Sequence, residues 1–354
     1  MINKETTLTA EWLESVSTKI GAKDKLLVEK TIRALILLEG LMNSEIDFIF
    51  KGGTALLLMQ QENPQRLSID IDIIIPKPFN ELGDMLDEIA QKQGFIRFEG
   101  QNRKRYSEIS KGHFKFFYNP IHTTRNKEES ILLDILFEEN PYQKIINTPL
   151  ITPFLSQTDT KQTVKTPSFE DLLGDKMTAF APNTTGIPYF KGEDSRSKEI
   201  IKQLFDVGNL FDVVEDLEIV RKTFNHLAEV ESKYRNLEIT PGDVLEDMYQ
   251  TSLCIALRGN DGKGNFEELV NGINSLKTFI FSGKFNLDKA FTYSAKVAYL
   301  ARLLKSEANQ IQRFAVDNEV MNLLIEQPHN TKLNKLKKPY PDAFWYWWLA
   351  TKDK

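Results

Sequence analysis

The chain of 354 residues has one cysteine, Cys254, so it lacks the material for a disulfide framework or for a zinc site built from several cysteines. That scarcity points to a reducing, intracellular setting. Long apolar runs are missing too: nothing approaches the ~18 residues that a membrane-spanning helix needs, and the aromatic stretch 344–350 is far too short. Residues 1–15 carry Lys4, Glu5, Glu11 and Glu14 without an apolar core, which does not fit a secretory signal. The expectation is a cytoplasmic protein with no membrane partner. Glycine (18) and proline (14) are too few for a collagen-like or low-complexity polymer. Neither sign of charge dominates. Forty-five basic residues against fifty acidic leave −5, so no global cationic field recruits nucleic acid and any such binding must be local. The four histidines, His113, His122, His226 and His329, show no metal-ligand spacing.

What is present is apolar material for one or two cores. Hydrophobic residues make up 41% and charged residues 27%, and a length near two times ~150 residues suggests two domains. Val28, Ile32, Leu35, Leu38 and Met42 recur at helical intervals, predicting a helix over 24–42. A strand over 46–50 runs into Lys51-Gly52-Gly53-Thr54, and a helix is expected from Ala55. Strands follow at 69–75, 95–99, 113–118 and 130–137, with a helix over 79–93 before Gly94. The Pro-, Thr- and Gln-rich stretch 141–167 reads as a connection. Beyond it, Ser168 and Asp171 stand at capping-box spacing, a second helix covers 198–214, and the text to about residue 326 is mostly helical. The expected fold class is α+β: a mixed sheet flanked by helices over 1–160, then a mainly helical lobe over 161–354.

Asp70-Ile71-Asp72 carries the clearest chemistry. In a strand the two acids share one face and Ile69, Ile71 and Ile73 the other. Two carboxylates in an apolar strand repel each other and lose solvation, costs that a bound divalent cation would offset. Oxygen ligands at this spacing suit Mg²⁺, which keeps water and recruits phosphate; a solvated edge strand is the plainer alternative. Upstream, Gly52-Gly53-Thr54 sits at a strand-to-helix junction, where backbone N–H groups favour an anion and the Thr54 hydroxyl could donate to it. Together they supply the two halves of a nucleotide–metal site. Asp134 alternates with Leu132 and Leu136 in an otherwise apolar strand. It is either a third ligand or base of a two-metal site, or structural. Lys176 faces away from its helix's apolar stripe and reads as a surface lysine. Asp206 reads as half of a solvated i,i+4 pair with Lys202.

The run Lys51-Gly52-Gly53-Thr54-Ala55-Leu56, followed by Arg66-Leu67-Ser68-Ile69-Asp70-Ile71-Asp72, resembles the signature of the AbiEii/AbiGii-type nucleotidyltransferase toxins, within the DNA polymerase β-like superfamily. Gly174-Asp175-Lys176 resembles that family's Asp-Lys helix. The segment 202–210 resembles its basic-Asp-x-x-Asp motif, with Gln203 where the first Asp is usual. The resemblance spans about residues 45–212.

It implies that Asp70 and Asp72 bind Mg²⁺ or Mn²⁺ and that Gly53 and Thr54, after Gly52, hold the triphosphate in a pocket shaped by Arg66 and Ser68. Lys176 would contact phosphate, and Asp206 would act from the second lobe as base or positioning group. The implied activity is transfer of NMP from an NTP to RNA, with the tRNA 3′ end as the expected acceptor. The implied setting is a toxin–antitoxin pair linked to phage defence, with a cognate antitoxin. Transfer to a protein or a small molecule keeps the same site, and a non-catalytic nucleotide- or antitoxin-binding module is the rival from another class. Two basic clusters, Arg103-Lys104-Arg105 and the lysines at 332, 335, 337 and 338 before the aromatics at 344–348, offer local contacts for an RNA end. For the aromatics, docking of the chain's last segment onto the body is the plainer reading.

Overall fold

The computed structural model describes residues 1–22, 24–100, 110–122, 127–158, 162–306, 308–317 and 319–352. The basic triplet Arg103-Lys104-Arg105 lies outside them. The chain divides into two compact units, one of residues 1–168 with 278–283, the other of residues 169–277 and 284–354.

The first unit begins with α1 (Lys4–Thr7), α2 (Ala10–Ile20) and α3 (Lys25–Met42), the last capped by the Asp24 side chain accepting from the Leu27 N–H. Then come β1 (Ile49–Lys51), α4 (Gly52–Met59), β2 (Ile71–Ile75), α5 (Leu82–Gln93), β3 (Arg97–Gly100), β4 (Ser110–Tyr118) and β5 (Glu129–Phe137). The five strands form one mixed sheet in the order β1-β2-β5-β4-β3. β2 and β5 run parallel and the other neighbours antiparallel.

Strand alternation decides what this sheet presents. Phe50, Ile71, Ile73, Ile131, Leu133 and Ile135 are all no more than 1% exposed, and α3 packs against β5 on that side. Ile49, Lys51, Asp72, Leu132, Asp134 and Leu136 point the other way and are only partly covered. One face is therefore core, and the other carries the polar residues.

The connection expected over 141–167 contains a hairpin instead, β6 (Ile145–Pro149) with β7 (Thr163–Pro167). β-Branched Ile145, Ile146, Thr148, Thr163, Val164 and Thr166 outweigh the prolines, and Pro149 and Pro167 sit at strand ends, where a missing N–H is tolerated. Buried Thr148 and Thr166 join hydroxyl to hydroxyl at 2.6 Å. The residues 278–283 belong to this unit: Leu67 N–H donates to the Phe279 carbonyl at 2.7 Å, and Arg66 bridges Ile280.

The second unit contains α6 (Phe169–Ala179), the short hairpin β8 (Phe190–Lys191) and β9 (Asp194–Ser195), α7 (Ser197–Leu210), α8 (Leu217–Tyr234), α9 (Pro241–Ala256), α10 (Phe266–Leu276), α11 (Leu287–Lys305), α12 (Asn330–Leu333) and α13 (Pro341–Lys352). Gly174 lets α6 and α8 cross closely: a Cβ there would lie 2.9 Å from the Val220 carbonyl oxygen. α13 packs on α11, burying Phe344 and Trp347 completely, with Trp347 edge-on to Tyr249 at 5.6 Å. The aromatics at this end are mostly core rather than a stacking platform, although Trp345 and Trp348 keep partial exposure. Among the described residues, no helix is long and apolar enough to cross a membrane.

Candidate active site

Register builds the site. Lys51 pairs with Asp72, Asp72 with Asp134, and Asp134 with His113, so one line across β1, β2, β5 and β4 carries four polar side chains on the open face. At its far end His113 Nδ1 lies 2.6 Å from Asp134 Oδ1. The Asp134 side chain is 43% exposed and His113 15%. At the near end Lys51 Nζ sits 5.6 Å from the Tyr142 ring centre. Asp70 lies two residues before Asp72, just ahead of β2, and both acids are half-buried while Ile71 and Ile73 are fully covered.

The chain leaves β1 directly into α4 through Gly52 and Gly53, so the helix begins three residues earlier than Ala55. Gly52 has φ +81, a left-handed conformation that glycine adopts freely. Its missing side chain makes room for a carboxylate: a Cβ there would stand 2.2 Å from Asp72 Oδ2. At Gly53 a Cβ would stand 2.7 Å from Ser68 Oγ and 2.8 Å from an Arg66 guanidinium nitrogen. The turn is thus closed on one side by Asp72 and on the other by Ser68 and Arg66. Lys51, the residue that opens α4, makes no capping hydrogen bond with its own side chain.

Thr54 is fully buried, and its hydroxyl bonds to Ser68 Oγ at 2.9 Å and the Asp70 carbonyl at 2.5 Å. The sequence reading offered that hydroxyl to a phosphate. Here it ties the turn to the Asp70 segment, since a single hydroxyl proton is already engaged. Ser68 and Arg66 are 9% and 6% exposed, and Arg66 Nη1 donates to the Leu67 carbonyl at 2.9 Å.

The second unit overturns the plain readings of Lys176 and Asp206. They are 5% and 1% exposed, and Lys176 Nζ lies 2.6 Å from Asp206 Oδ2. Lys176 is therefore not a surface residue, and Asp206 is not half of a solvated pair. Desolvating two charges is costly and is offset only when both stay together with further hydrogen bonds, so this pair is strongly interdependent. Helical periodicity treats each helix alone and could not say that α6 and α7 pack on each other. Gln203 remains partly exposed.

Oxygen-only donors, half-buried and beside the Gly52–Gly53 turn, fit a hard divalent cation. Mg²⁺ takes one or two carboxylates and leaves the rest of its shell to water and substrate phosphates. Among the described residues, no group of three or more His, Cys, Asp or Glu side chains is arranged to hold a metal. Asp134 is in register with Asp72. It stands one strand over from Asp72 but is engaged by His113. Lys51 and His113 were not picked out from the sequence, because only the register of four strands aligns them with Asp72.

Residues 36–268 match the family described as nucleotidyl transferase AbiEii toxin, type IV TA system. Solved structures to which the chain is similar include JHP933 from Helicobacter pylori, at 18% identity and a TM-score of 0.41, covering 79% of this chain and 91% of that one. Another is MenT4, a nucleotidyltransferase toxin from Mycobacterium tuberculosis, at 12% identity and a TM-score of 0.45, covering 95% and 98%. No curated protein matches the chain.

Proposed function

The chain belongs to the AbiEii nucleotidyltransferase toxin family, and on that premise we propose that it transfers an NMP unit from an NTP to RNA, at the 3′ end of tRNA, and so blocks translation. The observation that carries this reading is the closure of the Gly52–Gly53 turn against Asp72, Ser68 and Arg66, which joins an anion cradle to paired carboxylates.

Asp70 and Asp72 are the residues that would hold Mg²⁺ or Mn²⁺. That ion, when bound, neutralises charge on the triphosphate and its leaving group. The first turn of α4, where Gly52 and Gly53 carry no side chain, receives the triphosphate, and the Arg66 guanidinium beside Gly53 adds a fixed positive charge. Thr54 and Ser68 hold the turn at its distance from Asp70. Asp134, half-exposed and oriented by His113, is the carboxylate suited to take the proton from an attacking hydroxyl. In-line attack on the α-phosphorus then forms the new phosphodiester and releases pyrophosphate, a reaction in which positioning and charge neutralisation dominate. For the buried pair in the second unit we carry over the roles the resemblance implies. Lys176 would contact phosphate, and Asp206, paired with it at 2.6 Å, would act as base or positioning group.

The toxin role carries with it a cognate antitoxin, and the link to phage defence that the resemblance implies is part of the same proposal. Incubating the protein with each labelled NTP, total RNA and Mg²⁺ or Mn²⁺ tests the acceptor. Label on tRNA-sized RNA is expected. Label on protein instead would move the same site to another acceptor, and no labelled species under any NTP would contradict the enzymatic reading of this acceptor class.

A further inference from the structure

A second feature of the open sheet face lies outside the site described so far. Two residues along from the Lys51–Asp72 pair, Ile49 pairs with Ile74, and their side chains share the face that carries Asp72. A cavity of about 340 Å³ opens there, within the ~300–1,000 Å³ range of small-ligand pockets. Its floor is apolar, made by Ile49 and, from β6, Ile145 over the buried Ile74. Its rim is acidic, with Glu138 and Glu139 from the end of β5 and with Asp47, whose Oδ1 is 2.7 Å from Lys165 Nζ.

The position along β2 orders the components. The glycine turn, Ser68 and Arg66 lie toward the start of β2, Asp70 and Asp72 follow, and the cavity begins at Ile74, about 7 Å further at ~3.4 Å per residue. A triphosphate in the turn and a reacting phosphorus beside the carboxylates would leave the cavity on the side away from the leaving group. Its chemistry selects what enters. Carboxylates at the rim repel phosphate and accept hydrogen bonds from amino and hydroxyl groups, while the aliphatic floor suits a flat ring.

We propose that this cavity is a nucleoside subsite, receiving a base and its ribose next to the reacting phosphorus; the inference rests on the nucleotidyl-transfer reading above. The ring lies on Ile49 and Ile145, and donor groups of the base or sugar meet Glu138 and Glu139. Bases with an exocyclic amino group are favoured over uracil. The nucleoside belongs either to the incoming NTP or to the acceptor's terminal nucleotide, which present the same chemistry.

Binding of free cytidine, adenosine, guanosine and uridine, and separately of inorganic tripolyphosphate, is measured by calorimetry on the full chain. The proteins compared are the wild type, Ile145→Trp, which fills the cavity from its wall, and the rim variant Glu138→Gln/Glu139→Gln. The expected result is a loss of about tenfold or more in nucleoside affinity for Ile145→Trp with tripolyphosphate binding unchanged. The rim variant keeps the floor intact and loses the preference for amino-bearing bases over uridine, which guards against misfolding of Ile145→Trp. In transfer assays, a raised KM for NTP with Ile145→Trp assigns the nucleoside to the incoming nucleotide, and a raised KM for RNA assigns it to the acceptor. Wild-type nucleoside affinity in Ile145→Trp, or an unaltered base preference in the rim variant, overturns the subsite. Failure of the transfer reading would show differently, as nucleoside binding that responds to these changes in a protein that labels no acceptor.

Discussion

Gly52 holds a conformation and a space that no other residue could hold without moving Asp72. In Gly52→Ala the new Cβ would meet the Asp72 carboxylate, 2.2 Å away, at a φ of +81. The expected cost is roughly 1–3 kcal/mol of stability, read from the melting temperature. Because the displaced group is a carboxylate of the proposed metal site, kcat is expected to fall by about 10²-fold or more. The Lys176–Asp206 pair permits a different separation of roles. Lys176→Met leaves a buried carboxylate without its 2.6 Å partner and should destabilise by about 3–5 kcal/mol in denaturant titrations. Lys176→Met with Asp206→Leu should restore most of that stability, since replacing both members of a buried pair by apolar residues is often neutral. Transfer should remain absent in the restored double variant. A folded, active double variant would reduce the pair to a structural role.

Elements show what local sequence could and could not say. The period-two alternation around Asp70-Ile71-Asp72 was enough to place both acids on one face, and the Gly-Gly pair was enough to mark a strand-to-helix turn, because both signals are local. Missing from the sequence were the register that lines Lys51, Asp134 and His113 up with Asp72, and the packing of α6 on α7 that buries Lys176. Those depend on contacts between segments far apart in the chain. The β6–β7 hairpin was missed because its prolines spoke louder than its β-branched residues. The closing helix α13 follows the opposite pattern: Trp347 is fully buried and edge-on to Tyr249. Trp347→Ala should therefore destabilise by roughly 3–5 kcal/mol, seen as a lower denaturation midpoint.

At the scale of the whole molecule, a net charge of −5 and a single cysteine leave function to be carried by a few local arrangements rather than by a global field or covalent cross-links. The first unit carries the Gly52–Gly53 turn with Asp70 and Asp72, and the second holds the buried Lys176–Asp206 pair. Because the proposed ion is held by Asp70 and Asp72 and not by a structural cage, chelation should stop transfer without unfolding the chain. Adding EDTA is expected to abolish labelling and leave the circular dichroism spectrum unchanged, with Mg²⁺ or Mn²⁺ restoring activity. The most direct measurement compares NTP labelled at the α-phosphate with NTP labelled at the γ-phosphate, each incubated with RNA and with wild-type or Asp72→Asn protein. Transfer of α-label alone, with γ-label leaving as pyrophosphate and no transfer by Asp72→Asn, is the predicted result. Transfer of γ-label, or undiminished α-label transfer by Asp72→Asn, would contradict it.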